Sequence, residues 1–126
     1  MRTHAKIQSL NVSELVKKIN QAQTIVLTTH KQCDGDGLGA MMALYYGLKK
    51  VGKKVRVISV DEVPKKYNFL NPELHIEVFE KNIPPIQKSD LALIFDTNDK
   101  RLVAPLFEKL EENCEVILFV DHHPIL

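Results

Sequence analysis

The chain has 126 residues, 44% of them hydrophobic and 26% charged, a make-up that fits one globular domain able to bury roughly two-thirds of its unfolded surface. A net charge of +1 excludes a whole-chain attraction for polyanions, so any phosphate recognition must come from a local site. No leader pattern and no apolar run long enough to span a bilayer is present, and Cys33 and Cys114, far apart in sequence, suit reduced thiols in a cytoplasmic protein better than a disulfide framework.

Residues 1–10 are mixed in character and read as a frayed or lightly docked terminus. Asn11 and Glu14 have capping-box spacing, and Val12, Leu15, Val16 and Ile19 form one apolar stripe, so a helix is predicted from there to about Gln21–Gln23. Thr24-Ile-Val-Leu-Thr28 is a β-branched apolar run and reads as a buried strand. After a glycine-rich turn, Ala40 to Lys50 reads as a helix that buries Met41, Met42, Leu44, Tyr45 and Leu48. Gly47 is expected to permit close packing on the sheet, and Gly52 to cap the helix. Lys49, Lys50, Lys53 and Lys54 oppose the helix dipole at its far end and read as a solvated cluster.

Val55–Val60 is a second strand, followed by Asp61-Glu62-Val63-Pro64 and a short helix through Tyr67, Phe69 and Leu70 that Asn71-Pro72 stops. Leu74–Phe79 is a third, short strand carrying a structural His75. Leu91–Phe95 is a fourth, fully apolar strand. Leu102, Val103, Leu106, Phe107 and Leu110 have helical spacing, with Pro105 tolerated in the first turn. Val116–Val120 is a fifth strand. Strands alternating with helices imply an α/β fold: a doubly wound, mainly parallel five-stranded sheet with flanking helices.

The chemistry falls at strand ends. The run Thr28-Thr29-His30-Lys31-Gln32-Cys33-Asp34-Gly35-Asp36-Gly37-Leu38-Gly39 leaves the first core strand, Asp96-Thr97-Asn98-Asp99 leaves the fourth, and Asp121-His122-His123-Pro124 leaves the fifth. Open parallel sheets place ligands at these carboxyl ends. An EF-hand reading of Asp-x-Asp-Gly fails because Leu38 and Tyr45 stand at ligand positions, and a dinucleotide fingerprint fails because the glycines run Gly-x-Gly-x-Gly. For the first turn alone, aspartates that merely cap the next helix remain the plain alternative. Three ends contributing His30, Asp34, Asp36, Asp96, Asp121, His122 and His123 point instead to a metal site. Imidazole and carboxylate donors suit a hard or borderline cation such as Mn²⁺, and could hold two ions roughly 3.5–4 Å apart for in-line attack on a phosphoryl group. Cys114 reads as core filler and Cys33 as a small loop residue.

His30-x-x-x-Asp34-x-Asp36 and Asp121-His122-His123 resemble the first and third motifs of the DHH family of phosphoesterases, and Phe95-Asp96-Thr97-Asn98-Asp99-Lys100-Arg101 resembles its second. The resemblance implies that His30, Asp34, Asp36, Asp96 and His122 ligate two manganese ions, with Mg²⁺ the alternative, and that Asp96 bridges them. It further implies that His123 contacts the reacting phosphate, that Asp121 orients a motif histidine, and that Arg101 contacts phosphate. A helix before the first core strand, and Asp61-Glu62-Val63-Pro64 with Phe69-Leu70 after the second strand, look like the branch of bacterial oligoribonucleases and adenosine 3′,5′-bisphosphate phosphatases, so short RNA or a nucleotide is the implied substrate. Cyclic-dinucleotide phosphodiesterases, single-strand exonucleases and pyrophosphatases of the same superfamily are the alternatives.

Cys33 stands where the family usually has proline, and Ala40 where serine is common. Family members continue past the third motif with helices carrying a fourth motif and then a substrate-binding domain, whereas this chain ends at Leu126. Residues 1–126 are therefore expected to be a single DHH domain lacking those parts, with sharply reduced turnover alone. A non-catalytic metal- or nucleotide-binding module is the reading from a different class. Apolar surface left for the missing part could support a homodimer.

Overall fold

The structure, a computed structural model, describes residues 12–33, 35–70 and 75–120 and the backbone of 3–6. In chain order the elements are β1 (Thr3–Lys6), α1 (Val12–Gln21), β2 (Thr24–Thr29), α2 (Gly35–Lys50), β3 (Lys54–Ser59), a 3₁₀ helix (Lys65–Leu70), β4 (Ile76–Val78), a 3₁₀ turn (Phe79–Lys81), β5 (Ser89–Phe95), a 3₁₀ helix (Lys100–Val103), α3 (Leu106–Asn113) and β6 (Cys114–Val120). One sheet runs in the order β1-β6-β5-β2-β3-β4, and every pairing is parallel.

The α/β fold class is as expected, with one strand more. Thr3–Lys6 pairs with Val116–Phe119 at the sheet edge, where a frayed terminus was expected. The stretch has no apolar run to announce a strand; edge pairing is carried by backbone hydrogen bonds, which sequence pattern does not report.

Alternation along the strands builds two cores, one on each face. Ile25, Leu27, Val57, Leu91, Leu93, Phe95 and Leu118 pack beneath Leu38, Met41, Met42, Tyr45 and Leu48 of α2. On the opposite face Val26, Ile58, Ala92, Ile94, Ile117 and Phe119 meet Leu106, Phe107 and Leu110 of α3, with the Phe107 and Phe119 rings stacked at 5.9 Å. From α1 only Leu15 and Ile19 join the core, so half of its expected stripe, Val12 and Val16, faces solvent. The proposed cap at Asn11 and the stop at Asn71-Pro72 lie outside the described residues.

Three local expectations are corrected. Helix α2 begins at Gly35, not Ala40, so Asp36 and the glycines form its first turns; Asp36 there opposes the positive end of the dipole. The segment after β5 is not one helix: Ala104 ahead of Pro105 is extended (φ −69°, ψ 145°), which separates the 3₁₀ helix Lys100–Val103 from α3. Gly47 faces solvent, and a side chain there would meet nothing within 4 Å, so it makes no close approach to the sheet.

Gly52 behaves as expected. Its φ of +87° and the pair of bonds from Gly52 N to Lys49 O and Lys53 N to Leu48 O make a Schellman cap. Within the lysine cluster, Lys53 Nζ is engaged, donating to the carbonyls of Asn20 and Ala22 at the end of α1. His75 is structural, packed on the rings of Tyr45 and Tyr46.

Candidate functional site

The chain leaves β2 toward β3 and β4 on one side, then returns to place β5 on the other side of β2 and β6 beyond it. The sheet's topological switch point therefore lies between β2 and β5, at whose carboxyl ends stand His30 and Asp96. Register fixes the pair, because Thr29 lies opposite Phe95 and its hydroxyl donates to the Phe95 carbonyl at 2.8 Å.

The two strand-end loops are held by backbone hydrogen bonds from several elements. Lys31 N–H donates to the Leu102 carbonyl at 2.7 Å, joining the His30 loop to the segment after β5. Gln32, in the left-handed region at φ 53°, donates its N–H to the Asp61 carboxylate at 3.0 Å, which joins the same loop to the segment after β3. Asp96 is itself left-handed at φ 66°, a conformation that aspartate tolerates better than most residues, and its N–H donates to Val120 O at 2.9 Å. Its side chain is buried against the first turn of α2. A Cβ on Gly37 would lie 3.0 Å from Asp96 Cβ and 3.1 Å from Thr29 Oγ1, so only glycine lets the helix approach the strand ends this closely.

At this junction His30 Nε2 lies 3.3 Å from Asp96 Oδ2. The other ring nitrogen, Nδ1, faces the Lys31 carbonyl, which can only accept, so Nδ1 carries the proton. Nε2 then faces a carboxylate oxygen, an approach that either a proton on Nε2 or a cation held between the two would satisfy. Two ligands about 2.1 Å from one ion, in octahedral or tetrahedral array, are roughly 3.0–3.4 Å apart, so the pair fits a shared divalent cation. A carbonyl fixing the far nitrogen of a metal-binding imidazole is also the usual device for orienting it.

Of the remaining residues singled out in the sequence, Asp36 lies exposed in the first turn of α2, while Asp34, Asp121, His122 and His123 lie outside the described residues. Among the described residues no three His, Cys, Asp or Glu side chains form a cluster that could hold an ion; His30 and Asp96 are a pair. Arg101 is exposed, its guanidinium forked onto the Asp99 carboxylate (2.8–3.2 Å), which raises its pKa. Thr97 serves locally, its hydroxyl accepting from Asp99 N–H at 3.0 Å. Cys33 is a loop residue, as expected, with its side chain buried in the first core, and Cys114 is buried at the end of α3. A cavity of about 430 Å³ between Thr24, Lys54, Arg56 and Ser89 opens at the amino ends of the strands, about 20 Å from the His30–Asp96 end.

Asp61 is the positioning residue that sequence reading missed. The available signal was its place after a parallel strand on the same side as the first motif. Nothing in the sequence showed that its carboxylate would reach across to Gln32.

The model of the family described as "DHH family, N-terminal domain" matches residues 24–126. Two proteins named bifunctional oligoribonuclease and PAP phosphatase NrnA, from Mycoplasma genitalium and Mycoplasma pneumoniae, are each 30% identical over 115 residues. The match covers 90% of this chain and 35% of each relative, so the chain spans about a third of their length. Among solved structures, an exopolyphosphatase-related protein from Bacteroides fragilis superposes with a TM-score of 0.79 at 21% identity, over 90% of this chain and 34% of that one. That likeness is one of fold.

Proposed function

The chain belongs to the DHH family, and from that footing we propose that it is the metal-binding domain of a phosphoesterase acting on short oligoribonucleotides or adenosine 3′,5′-bisphosphate, with Mn²⁺ as its ion. The observation that carries the reading is the 3.3 Å approach of His30 Nε2 to Asp96 Oδ2 at the switch point of a parallel sheet. The substrate class is drawn from the names of the two Mycoplasma relatives.

In this reading His30, Asp34, Asp36, Asp96 and His122 hold the ions, His123 contacts the reacting phosphate, Asp121 orients a motif histidine, and Arg101 binds phosphate once released from Asp99. Bound cations supply Lewis acidity and neutralise charge at the phosphoryl group during in-line displacement. The chain's own work is orientation. Lys31 O fixes the His30 tautomer, Asp61 fixes the loop, and Gly37 lets the start of α2 close over Asp96. Burial of Asp96 keeps its carboxylate in a medium where attraction to a cation is stronger than in water.

The test is release of mononucleotides from two- to five-nucleotide RNA, and of phosphate from adenosine 3′,5′-bisphosphate, as Mn²⁺ is titrated. Metal-dependent turnover lost in Asp96→Ala and His30→Ala is expected. Turnover that survives both substitutions, or that ignores the metal, overturns the proposal.

A further inference from the structure

The 3₁₀ helix Lys65–Leu70 follows β3 and stands on the same side of the sheet as His30 and Asp96. It has three residues per turn, so residues three apart share a face. Tyr67 and Leu70 share the inward face and pack on the first core. Tyr67 also packs against the start of α2: its ring carbon Cε1 lies 3.0 Å from where a Cβ on Gly35 would be. Lys66 and Phe69 share an outward face. Phe69 is 73% exposed, more than any other aromatic side chain among the described residues, although it sits one turn from a core tyrosine. Phe69 thus presents an aromatic face to solvent at the end of the sheet where His30 and Asp96 stand.

We propose that Phe69 and Lys66 form a shelf that receives one base and one adjoining phosphate of a single-stranded oligonucleotide whose scissile bond lies at the His30–Asp96 site. The inference rests on the function proposed above and adds the residue that would hold a base. Three features of the shelf point to this ligand. The helix carries Lys65 and Lys66 and no acidic residue. The nearest upstream acids are both engaged, Glu62 with Lys81 Nζ at 2.7 Å and Asp61 with Gln32 N–H. Finally, the Tyr67 ring has Gly35 against its edge and Lys66 Nζ 5.2 Å from its centroid, so Phe69 is the ring left to stack, and Lys66 would swing from the Tyr67 face to meet a phosphate. Rings beside cations are how single strands are gripped without regard to sequence. Phe69 is about 4 Å along the 3₁₀ axis from Tyr67, on a different face of the helix, and Tyr67 touches Gly35 at the start of α2. A base on Phe69 would therefore lie at the same end of the sheet as a phosphate held at His30 and Asp96.

The experiment uses a phosphorothioate trinucleotide carrying 2-aminopurine, whose fluorescence is quenched by stacking, titrated with the chain in Mg²⁺ buffer. Phe69→Ala should weaken binding about 5- to 150-fold and remove the quench, while Phe69→Trp restores both. The gap between wild type and Phe69→Ala should vanish for an abasic trinucleotide. Lys66→Ala should flatten the slope of log affinity against log salt by about 0.7. Unchanged trinucleotide binding by Phe69→Ala overturns the shelf, and if Mn²⁺-dependent turnover persists the phosphoesterase reading stands without it. Unchanged binding with a lowered sedimentation mass also overturns it and makes Phe69 a contact between protein chains. Loss of binding accompanied by a lowered unfolding midpoint, with no rescue by Phe69→Trp, refutes it as well.

Discussion

Gly37→Ala tests whether the start of α2 is built around the buried carboxylate. The new methyl would lie 3.0 Å from Asp96 Cβ, 3.1 Å from Thr29 Oγ1 and 3.3 Å from Asp96 Oδ2. Comfortable contacts are about 3.5–4.0 Å, so something must move by roughly half an ångström. Thr29 cannot yield easily, because it is buried and its hydroxyl is tied to the Phe95 carbonyl. Overpacking of this kind costs about 1–3 kcal/mol, offset by about 1 kcal/mol from alanine's better helix propensity. Gly47→Ala in the same helix gains the propensity without the clash, since nothing lies within 4 Å. Urea unfolding should therefore rank Gly47→Ala above Gly37→Ala by about 1–3 kcal/mol. Displacing Asp96 should also weaken Mn²⁺ binding at least about tenfold in Gly37→Ala, read by calorimetry. Equal stability of the two variants, together with unchanged metal affinity, would refute the reasoning.

Two further outcomes follow from the loops around the site. Asp61→Ala removes the acceptor of the left-handed Gln32 N–H and should cost about 1 kcal/mol in urea unfolding while weakening metal binding several-fold; metal affinity equal to wild type would show that the loop holds itself. Asp90 accepts from the N–H groups of Gln23 and Thr24, which hold its carboxyl below the usual range. Its stabilisation is therefore present above the unfolded aspartate pKa of about 3.9 and lost as pH falls through the lower folded value. Asp90→Asn should show a shallower loss of Tm below about pH 4, worth under about 1 kcal/mol because the group is exposed, and superimposable acid limbs would contradict this.

Much of this fold is legible because buried parallel strands read as unbroken apolar runs, and 24–29, 91–95 and 116–120 are such runs. Their carboxyl ends carry the motif residues, so the location of the candidate site follows from chain pattern alone. What pattern misses depends on geometry across the chain. The edge strand Thr3–Lys6 is paired through its backbone, and the roles of Asp61 and Lys53 depend on which carbonyls and amides the fold brings near them. Glycines are ambiguous for the same reason. Gly37 and Gly47 lie in one helix, yet only the first meets a neighbour. Early helix formation at Gly35 was hidden because three glycines lower local propensity, which tertiary packing on Asp96 overrides.

Calorimetric titration of Mn²⁺ into wild type, His30→Ala and Asp96→Ala tests most directly the claim that strand ends meeting at the switch point form a cation site. Saturable binding by wild type, weakened at least about tenfold in each variant with the fold intact by circular dichroism, is the result expected from a shared ligand pair. Isotherms that superimpose for all three proteins would mean that the 3.3 Å approach of His30 to Asp96 is a hydrogen bond of the fold and no part of a metal site.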